Sequence, residues 1–405
     1  MDKYLERLKK GTLKLHALEK EVPAPEAIRI RRAFIEGEAG VQLPKLGSFT
    51  MDPSTAVTRN IENMVGAVQL PVGVAGPLRV RGEHARGDYY VPLATTEGAL
   101  VASVNRGCGA ITRAGGADVR VLRNGMTRAP VFSTGDILHA KAVKDFVDGN
   151  RAALAAAAAE TTSHGELTGA MTFVTGTTVH VRLEFDTKDA MGMNMVTIAS
   201  ERIAALIEEQ TGAHLVALSG NLCTDKKPAA VNGILGRGRT VVAGVMLSDT
   251  LVSEVFKTHA RTLAEVNYRK NLVGSARAGS LGYNAHAANV IAALFIACGQ
   301  DAAHVVEGSG TFTTVEEQEE GVYVSVTIPA LQLGTVGGGT GLDTQRECLS
   351  LLGVAGGGTP PGSNAARFAE IAGCAVLAGE LSLLGALGAG HLARAHKALG
   401  RGKKD

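Results

Sequence analysis

The stretch that most restricts how this chain can fold is a handover from one periodicity to another. Thr177 to Phe185 alternates, with Val179, Val181, Leu183 and Phe185 pointing one way, which predicts a strand. Val196 to Gln210 repeats at helical spacing, with Val196, Ala199, Ile203, Leu206 and Ile207 forming an apolar stripe. Between them lies Asp189-Ala-Met-Gly-Met-Asn-Met195. A strand that feeds a helix N-terminus gathers unpaired N–H groups and positive partial charge, where phosphates and pyrophosphates bind. The same residues also read as ordinary caps, since Asp189 and Asn194 are common helix-capping types.

The rest of the chain sets that unit in a larger frame. The 405 residues allow two or three domains. Aromatic residues make up only 4% and Trp is absent, so the core must be built from Ala, Val, Leu and Ile, packed closely with the help of 51 Gly. A formal charge of +2 gives no field that argues for nucleic acid. Five Cys, at 108, 223, 298, 348 and 374, form no CxxC pair; they suggest a reducing compartment, with neither a disulfide framework nor a metal site. The N-terminus lacks the apolar core of a signal peptide. The longest apolar runs are interrupted by His286 and Asn289, and by Glu380, so no membrane span is expected.

Residues 2 to 22 predict an amphipathic helix ended by Pro23, and Pro25 opens a second. Pro71 to Leu78 holds too many Pro and Gly for a helix and reads as a structured loop or sheet edge. Thr95-Thr-Glu-Gly98 opens a helix through Ile111, placing Glu97 in its first turn, where an acid is favourable on structural grounds alone. Asn124-Gly125 predicts a hairpin between Val119–Arg123 and Met126–Phe132. Leu251 to Val266 and Ala285 to Ala297 read as helices, and Phe368 to Leu399 as one long helix or two, with Gly385, Gly388 and Gly390 as possible kinks. Asn284, His286, Asn289, Gln300 and Asp301 cluster on or beside an apolar helix, and so many polar groups there need partners. Gly334-Thr-Val-Gly-Gly-Gly-Thr340 can bring backbone close to a ligand. No Lys follows these glycines, which argues against a nucleotide-hydrolysing phosphate loop.

Asp189 to Met195 resembles the nicotinamide-cofactor motif of the 3-hydroxy-3-methylglutaryl-CoA reductase family. Further words match in the family's order: Glu62-Asn63 with Pro71 to Leu78, Thr95 to Gly98, Asn105 to Cys108, Ser219 to Ala230, Asn284 to Asn289, Cys298 to Ala303, Gly334 to Thr340, and Gly390 to His396. The wording resembles the class I form, without the membrane anchor of the animal enzymes. The resemblance implies an α+β fold: a helical N-terminal region (1–50), a large substrate-binding domain with a central helix (51–130 and 218–405), and a small ferredoxin-like cofactor domain inserted at 131–217.

It also implies a four-electron, NADPH-dependent reduction of the CoA thioester to mevalonate, in a cytoplasmic homo-oligomer whose site lies between subunits. Lys226 matches the lysine that stabilises the developing oxyanion. Glu97 matches the acid that gives a proton to the carbonyl oxygen, and Asp301 the aspartate of the same network. His396 matches the histidine that protonates the departing thiolate, while His391 has no catalytic counterpart. Arg128, Ser219, Lys227, Lys270 and Asn289 match positions that hold the hydroxymethylglutaryl part, and Asn105 and Arg106 the CoA side. Asp189, Met191, Gly192, Met193 and Asn194 match the cofactor loop, with Gly337 and Gly338 in the second loop. Ser163-His164 stands where the animal enzymes have Ser-Arg beside the ribose phosphate. A histidine is a weaker, pH-dependent phosphate partner, which leaves the choice between NADPH and NADH open.

Overall fold

The computed structural model describes residues 1–390. Its ten strands are β1 (Val72–Arg81), β2 (Arg86–Ala94), β3 (Ala117–Arg128), β4 (Val131–Ser133), β5 (Glu166–Thr175), β6 (Thr178–Asp186), β7 (His214–Ala217), β8 (Gly238–Ser248), β9 (Phe312–Gln318) and β10 (Gly321–Leu331). They hydrogen-bond in the order β7-β4-β6-β3-β8-β10-β9, with β5 on β6, and β1 joined to both β2 and β3.

The predicted hairpin at Asn124-Gly125 does not form. β3 runs straight through these residues and changes partners instead: Asp118 to Gly125 pair with β8, and Met126 to Arg128 pair with β6. The Asn-Gly pair is used for closeness here, not for a turn. A side chain at Gly125 would overlap the Glu184 carboxylate that pairs with Arg123, and Asn124 donates to Asp186 at 2.7 Å.

This one strand joins two separate cores. The larger packs β8 and β10 against the helices Leu100–Arg113, Ala287–Ala297 and Ser363–Gly388. The smaller packs β4, β5 and β6 under the helices Ile137–Gly149, Arg151–Ala159 and Met193–Thr211, around Phe132, Phe185, Val196 and Ile203. Core glycines do bring helices into backbone contact, as the composition requires. A Cβ at Gly107 would run into the Ala378 carbonyl where Leu100–Arg113 crosses Ser363–Gly388.

Ser363–Gly388 is a single unbroken helix within the described residues and is long and apolar enough to cross a membrane. Here it is the core helix, with 83% of its most apolar stretch buried inside the protein. Two of its acids are fully buried and bond to main chain. Glu370 accepts from the N–H groups of Glu83, His84 and Ala85 at the β1–β2 turn. Glu380 accepts from Ala285 and His286 N–H and from the Thr313 hydroxyl, each at 2.7 Å.

Other elements differ from expectation for local reasons. The N-terminal run is split into Asp2–Lys9 and a tight turn, Leu15–Lys20, because Gly11 takes a left-handed φ of 69°. Pro71 to Leu78 forms the sheet edge and not the loop: it lies mostly in strand β1, paired there with β2 alone, and its register breaks between Ala75 and Leu78, around Gly76-Pro77. Leu251 to Val266 is two helices, Asp249–Phe256 and Ala260–Val266, parted at Lys257. The N-terminal helices close a small cluster of their own, pinned by buried Arg31 to the carbonyls of Leu15 and Met64 and to Glu19.

Candidate active site

Three segments meet around one cavity of about 650 Å³: Ala190 to Met195, Ile296 to Asp301, and Gly334 to Leu342. The strand-to-helix handover builds the first wall. Its helix starts at Met193, behind Gly192 with φ 88°, and no side chain caps it. The first-turn N–H groups therefore have no side-chain acceptor, which suits an anionic group of a ligand.

Asp189 is not the cap of that helix. It is buried and accepts from Gly358, Gly362 and Ala365 N–H at 2.9, 2.7 and 3.0 Å, which ties down the start of the Ser363–Gly388 helix instead. Its own carbonyl accepts from Thr335 N–H at 2.7 Å. Ala190 and Val336 form a parallel bridge, so the two loops are zipped edge to edge. The glycine at 334 is needed for this, since a Cβ there would strike the Met191 N–H. Gly337 and Gly338 have positive φ and open space where a side chain would stand, leaving bare backbone beside the cavity. Replacing Asp189 with Ala strands buried donors, each worth about 1–3 kcal/mol. We expect Asp189→Ala to unfold at markedly lower denaturant concentration, with loosened cofactor binding; an unchanged midpoint would refute its anchoring role.

Lys226 lies in the loop Ser219 to Pro228, where Asn221, Thr224 and Lys226 all take positive φ (64°, 61° and 57°). Such backbone costs on the order of 1–3 kcal/mol per residue and persists only where neighbours hold it. The holding groups are visible. Lys226 N–H donates to Glu307 at 2.7 Å, Thr224 bonds Asn232, and Asp225 accepts from Arg237 at 3.0 Å and Arg128 at 3.4 Å. The result aims the Lys226 ammonium at Asp301 Oδ2, 2.9 Å away, at the cavity edge. The hydrogen bond to Asp301 raises the Lys226 ammonium above its ordinary value, so it stays charged. Burial alone would raise the Asp301 carboxyl, but the Lys226 hydrogen bond, the Ala303 N–H and nearby positive charge outweigh it and hold Asp301 low.

Glu97 is exposed and precedes the Leu100–Arg113 helix, so it is not in the first turn; its N–H donates to Thr95 Oγ1 at 3.0 Å. Its carboxylate meets Asn289 Nδ2 at 3.4 Å. Asn289 also reaches His286, whose Nε2 lies 2.8 Å from the Gly379 carbonyl. The described contacts thus form two pairs, Lys226–Asp301 and Glu97–Asn289. Ser219 contacts Cys223 Sγ at 3.3 Å, and Lys227 Nζ donates to the Asp225 carbonyl. Lys270 is exposed on the Asn267–Gly274 turn. Asn105 accepts from Gly76 N–H, and Arg106 is held by Ser382 and stacks over Phe256. Ser163 and His164 lie in an exposed turn whose next residue, Gly165, abuts the Met195 side chain. His391 and His396 lie outside the described residues.

Sequence reasoning missed the buried support beneath Lys226. Arg237, fully buried, bonds Glu307, Asp225 and Thr127 and lies 3.4 Å from His304 Nδ1. Asp225, His304 and Glu307 have the composition of a metal site, with ligand atoms within 4.8 Å of one another. The Arg237 guanidinium already supplies the positive charge among them. A signal was present in the spacing Asp301-x-x-His304-x-x-Glu307, since residues three apart share a face in a tight helical turn. Three of the cysteines are no rival chemistry: burial pushes the Cys108 thiol up to about 12, and those of Cys298 and Cys374 well above the ordinary range.

The site is thus a fixed cation beside a cavity walled by an uncapped helix start and bare glycine backbone, and the chain as a whole is similar to known proteins. The chain is 56% identical over 399 residues to the 3-hydroxy-3-methylglutaryl-coenzyme A reductase of Methanothermobacter thermautotrophicus, covering 98% of this chain and 99% of that protein. It is 54% identical to the enzyme of the same name from Pyrococcus abyssi, covering 98% of each. Among solved structures it superposes on the class II reductase of Streptococcus pneumoniae bound to NADPH with a TM-score of 0.67, covering 93% of this chain and 100% of that one. At 20% identity this likeness speaks for the fold. The family profile described as hydroxymethylglutaryl-coenzyme A reductase matches residues 27–401, and the chain belongs to that family.

Proposed function

We propose that this protein reduces 3-hydroxy-3-methylglutaryl-CoA to mevalonate and CoA with NADPH, in the mevalonate route to isoprenoids. The observation that carries the reading is the Lys226–Asp301 pair, 2.9 Å apart, at the edge of the cavity walled by Met191 to Met195 and Gly334 to Thr340. Bound there, the nicotinamide cofactor supplies the hydride. Lys226 holds the carbonyl oxygen and takes up the negative charge that hydride arrival creates on it. Glu97, steered by Asn289, gives that oxygen a proton. His396 protonates the thiolate as the hemithioacetal collapses to the aldehyde, and a second hydride completes the alcohol. Arg128, Ser219, Lys227 and Lys270 offer cations and a hydroxyl to the free carboxylate; Asn105 and Arg106 lie toward the CoA side. Met191, Gly192, Met193, Asn194, Gly337 and Gly338 present the backbone that cradles the cofactor, and Asp189 fixes their loops. Ser163 and His164 take the ribose phosphate.

We read the chain as the class I form, supported by the motif words running in that form's order. The unit 131–217 is read as a ferredoxin-like cofactor domain. Its strand order β7-β4-β6-β5, with helices between, supports this. The enzyme works as a cytoplasmic homo-oligomer, with the Glu62-Asn63 segment reaching the neighbour's site. Exposed Ile61, Val68, Leu70 and Val72 flank that segment and are apolar surface suited to a second copy.

The test is to follow cofactor absorbance with hydroxymethylglutaryl-CoA, supplying NADPH or NADH. We expect two cofactors oxidised per thioester, faster with NADPH. No oxidation with either cofactor would overturn the reading.

A further inference from the structure

Beneath the Lys226–Asp301 pair lies a histidine that the reaction as proposed does not use. His304 is fully buried and follows Asp301 by three residues at the end of the turn Ala302–His304. Its Nδ1 lies 3.2 Å from Glu307 Oε1 and 3.4 Å from Arg237 Nη1. Its Nε2 has no hydrogen-bond partner among the described residues. That nitrogen lies 3.8 Å from Asp301 Oδ2 and 3.9 Å from Asp225 Oδ1. The charged groups facing the ring are thus Glu307 and Asp301 from its own segment, Arg237, Asp225, and Lys226 by way of Asp301. A buried polar nitrogen left unpaired costs about 1–3 kcal/mol. A ring that only filled space would be cheaper as Leu.

We propose that His304 is a positioning residue for the Lys226–Asp301 pair, donating from Nε2 to Asp301 Oδ2 once substrate draws Lys226 forward. The inference rests on the reductase reading and adds a residue to it. The movement required is small. The Asp301 carboxylate is held at Oδ1 by the Ala303 N–H at 3.0 Å and can pivot about that oxygen. Closing 3.8 Å to hydrogen-bond length takes about 1 Å. With a donor on each side, Asp301 no longer captures the ammonium, and Lys226 is shared with the substrate oxygen. The Nε2 proton stays on the ring throughout.

Two substitutions separate this role from a merely structural one. In His304→Asn the amide nitrogen stands where Nδ1 stood, keeping a donor for Glu307 but losing Asp301. In His304→Gln the amide nitrogen stands where Nε2 stood, keeping reach to Asp301. We expect His304→Gln to keep kcat within about threefold and His304→Asn to lose roughly tenfold, with KM for the thioester little changed. That loss is smaller than the ~10²–10³ of removing an oxyanion-stabilising donor itself. Equal kcat in the two variants, or a faster Asn variant, would overturn the proposal. Should the Asn variant not fold, His304→Ala assayed with added imidazole takes its place. A kcat that rises with imidazole supports the role, and a flat response overturns it. Turnover by the unsubstituted enzyme, measured alongside, tests the reductase reading separately.

Discussion

Lys226→Ala keeps its fold and loses turnover by roughly 10²–10³-fold, the usual cost of removing one group that stabilises a developing oxyanion. The fold survives because the loop is held by main chain and by its neighbours. Glu307 binds the Lys226 N–H, not its side chain, and Arg237 and Arg128 hold Asp225. The Lys226 side chain is nearly half exposed, so its removal leaves no cavity. Loss of the ammonium also frees Asp301 from the hydrogen bond that opposes its burial. Stopped-flow hydride transfer and circular dichroism, measured on the same preparation, check both halves of the expectation. Turnover within a few-fold of the unsubstituted enzyme would remove Lys226 from the chemistry.

Arg237→Leu is expected to destabilise the protein by about 3–5 kcal/mol, the range for removing one partner of a buried charge pair. Its guanidinium is the cation shared by Glu307, with neither side chain exposed, and by Asp225. Without it, a buried carboxylate is uncompensated, and the strained Asn221 to Lys226 backbone loses one of its anchors. The double change Arg237→Leu with Glu307→Leu should cost less than the sum of the single changes, because it leaves no lone charge. Denaturant midpoints of the three variants decide this. A loss below about 1 kcal/mol for Arg237→Leu would mean that water already reaches the cluster.

Regular periodicity was legible in the sequence and local irregularity was not. The alternation of Thr177 to Phe185 declared it a strand, and β6 spans Thr178–Asp186. Pro71, Pro77 and the glycines left Pro71 to Leu78 open between a loop and a sheet edge, and it is the edge that forms: Val72 to Arg79 pairs on one side only, with β2. Asn124-Gly125 carries the strongest short-range hairpin signal, yet partners from two cores override it. At the site, motif wording picked out Lys226 and Asp301, which the fold brings within 2.9 Å. It could not reveal that Asp189 serves a helix that begins at Ser363, nor that Arg237 is buried. Both depend on contacts between distant parts of the chain, and a buried Arg reads like an exposed one.

The two acids of the Ser363–Gly388 helix have a consequence in time. Glu370 waits for N–H groups about 285 residues earlier, and Glu380 for N–H groups 94 and 95 residues earlier. Long-range closures of this kind are slow, because chain entropy is lost before any contact repays it. Until the β1–β2 turn and the Ala285–His286 loop are delivered, a 26-residue apolar helix stands with two unanswered carboxylates. During synthesis those early segments have already emerged when the helix leaves the ribosome, and vectorial growth presents it with a finished seat. Refolding from denaturant has no such order, so the nascent chain should reach the native state more readily than the diluted one.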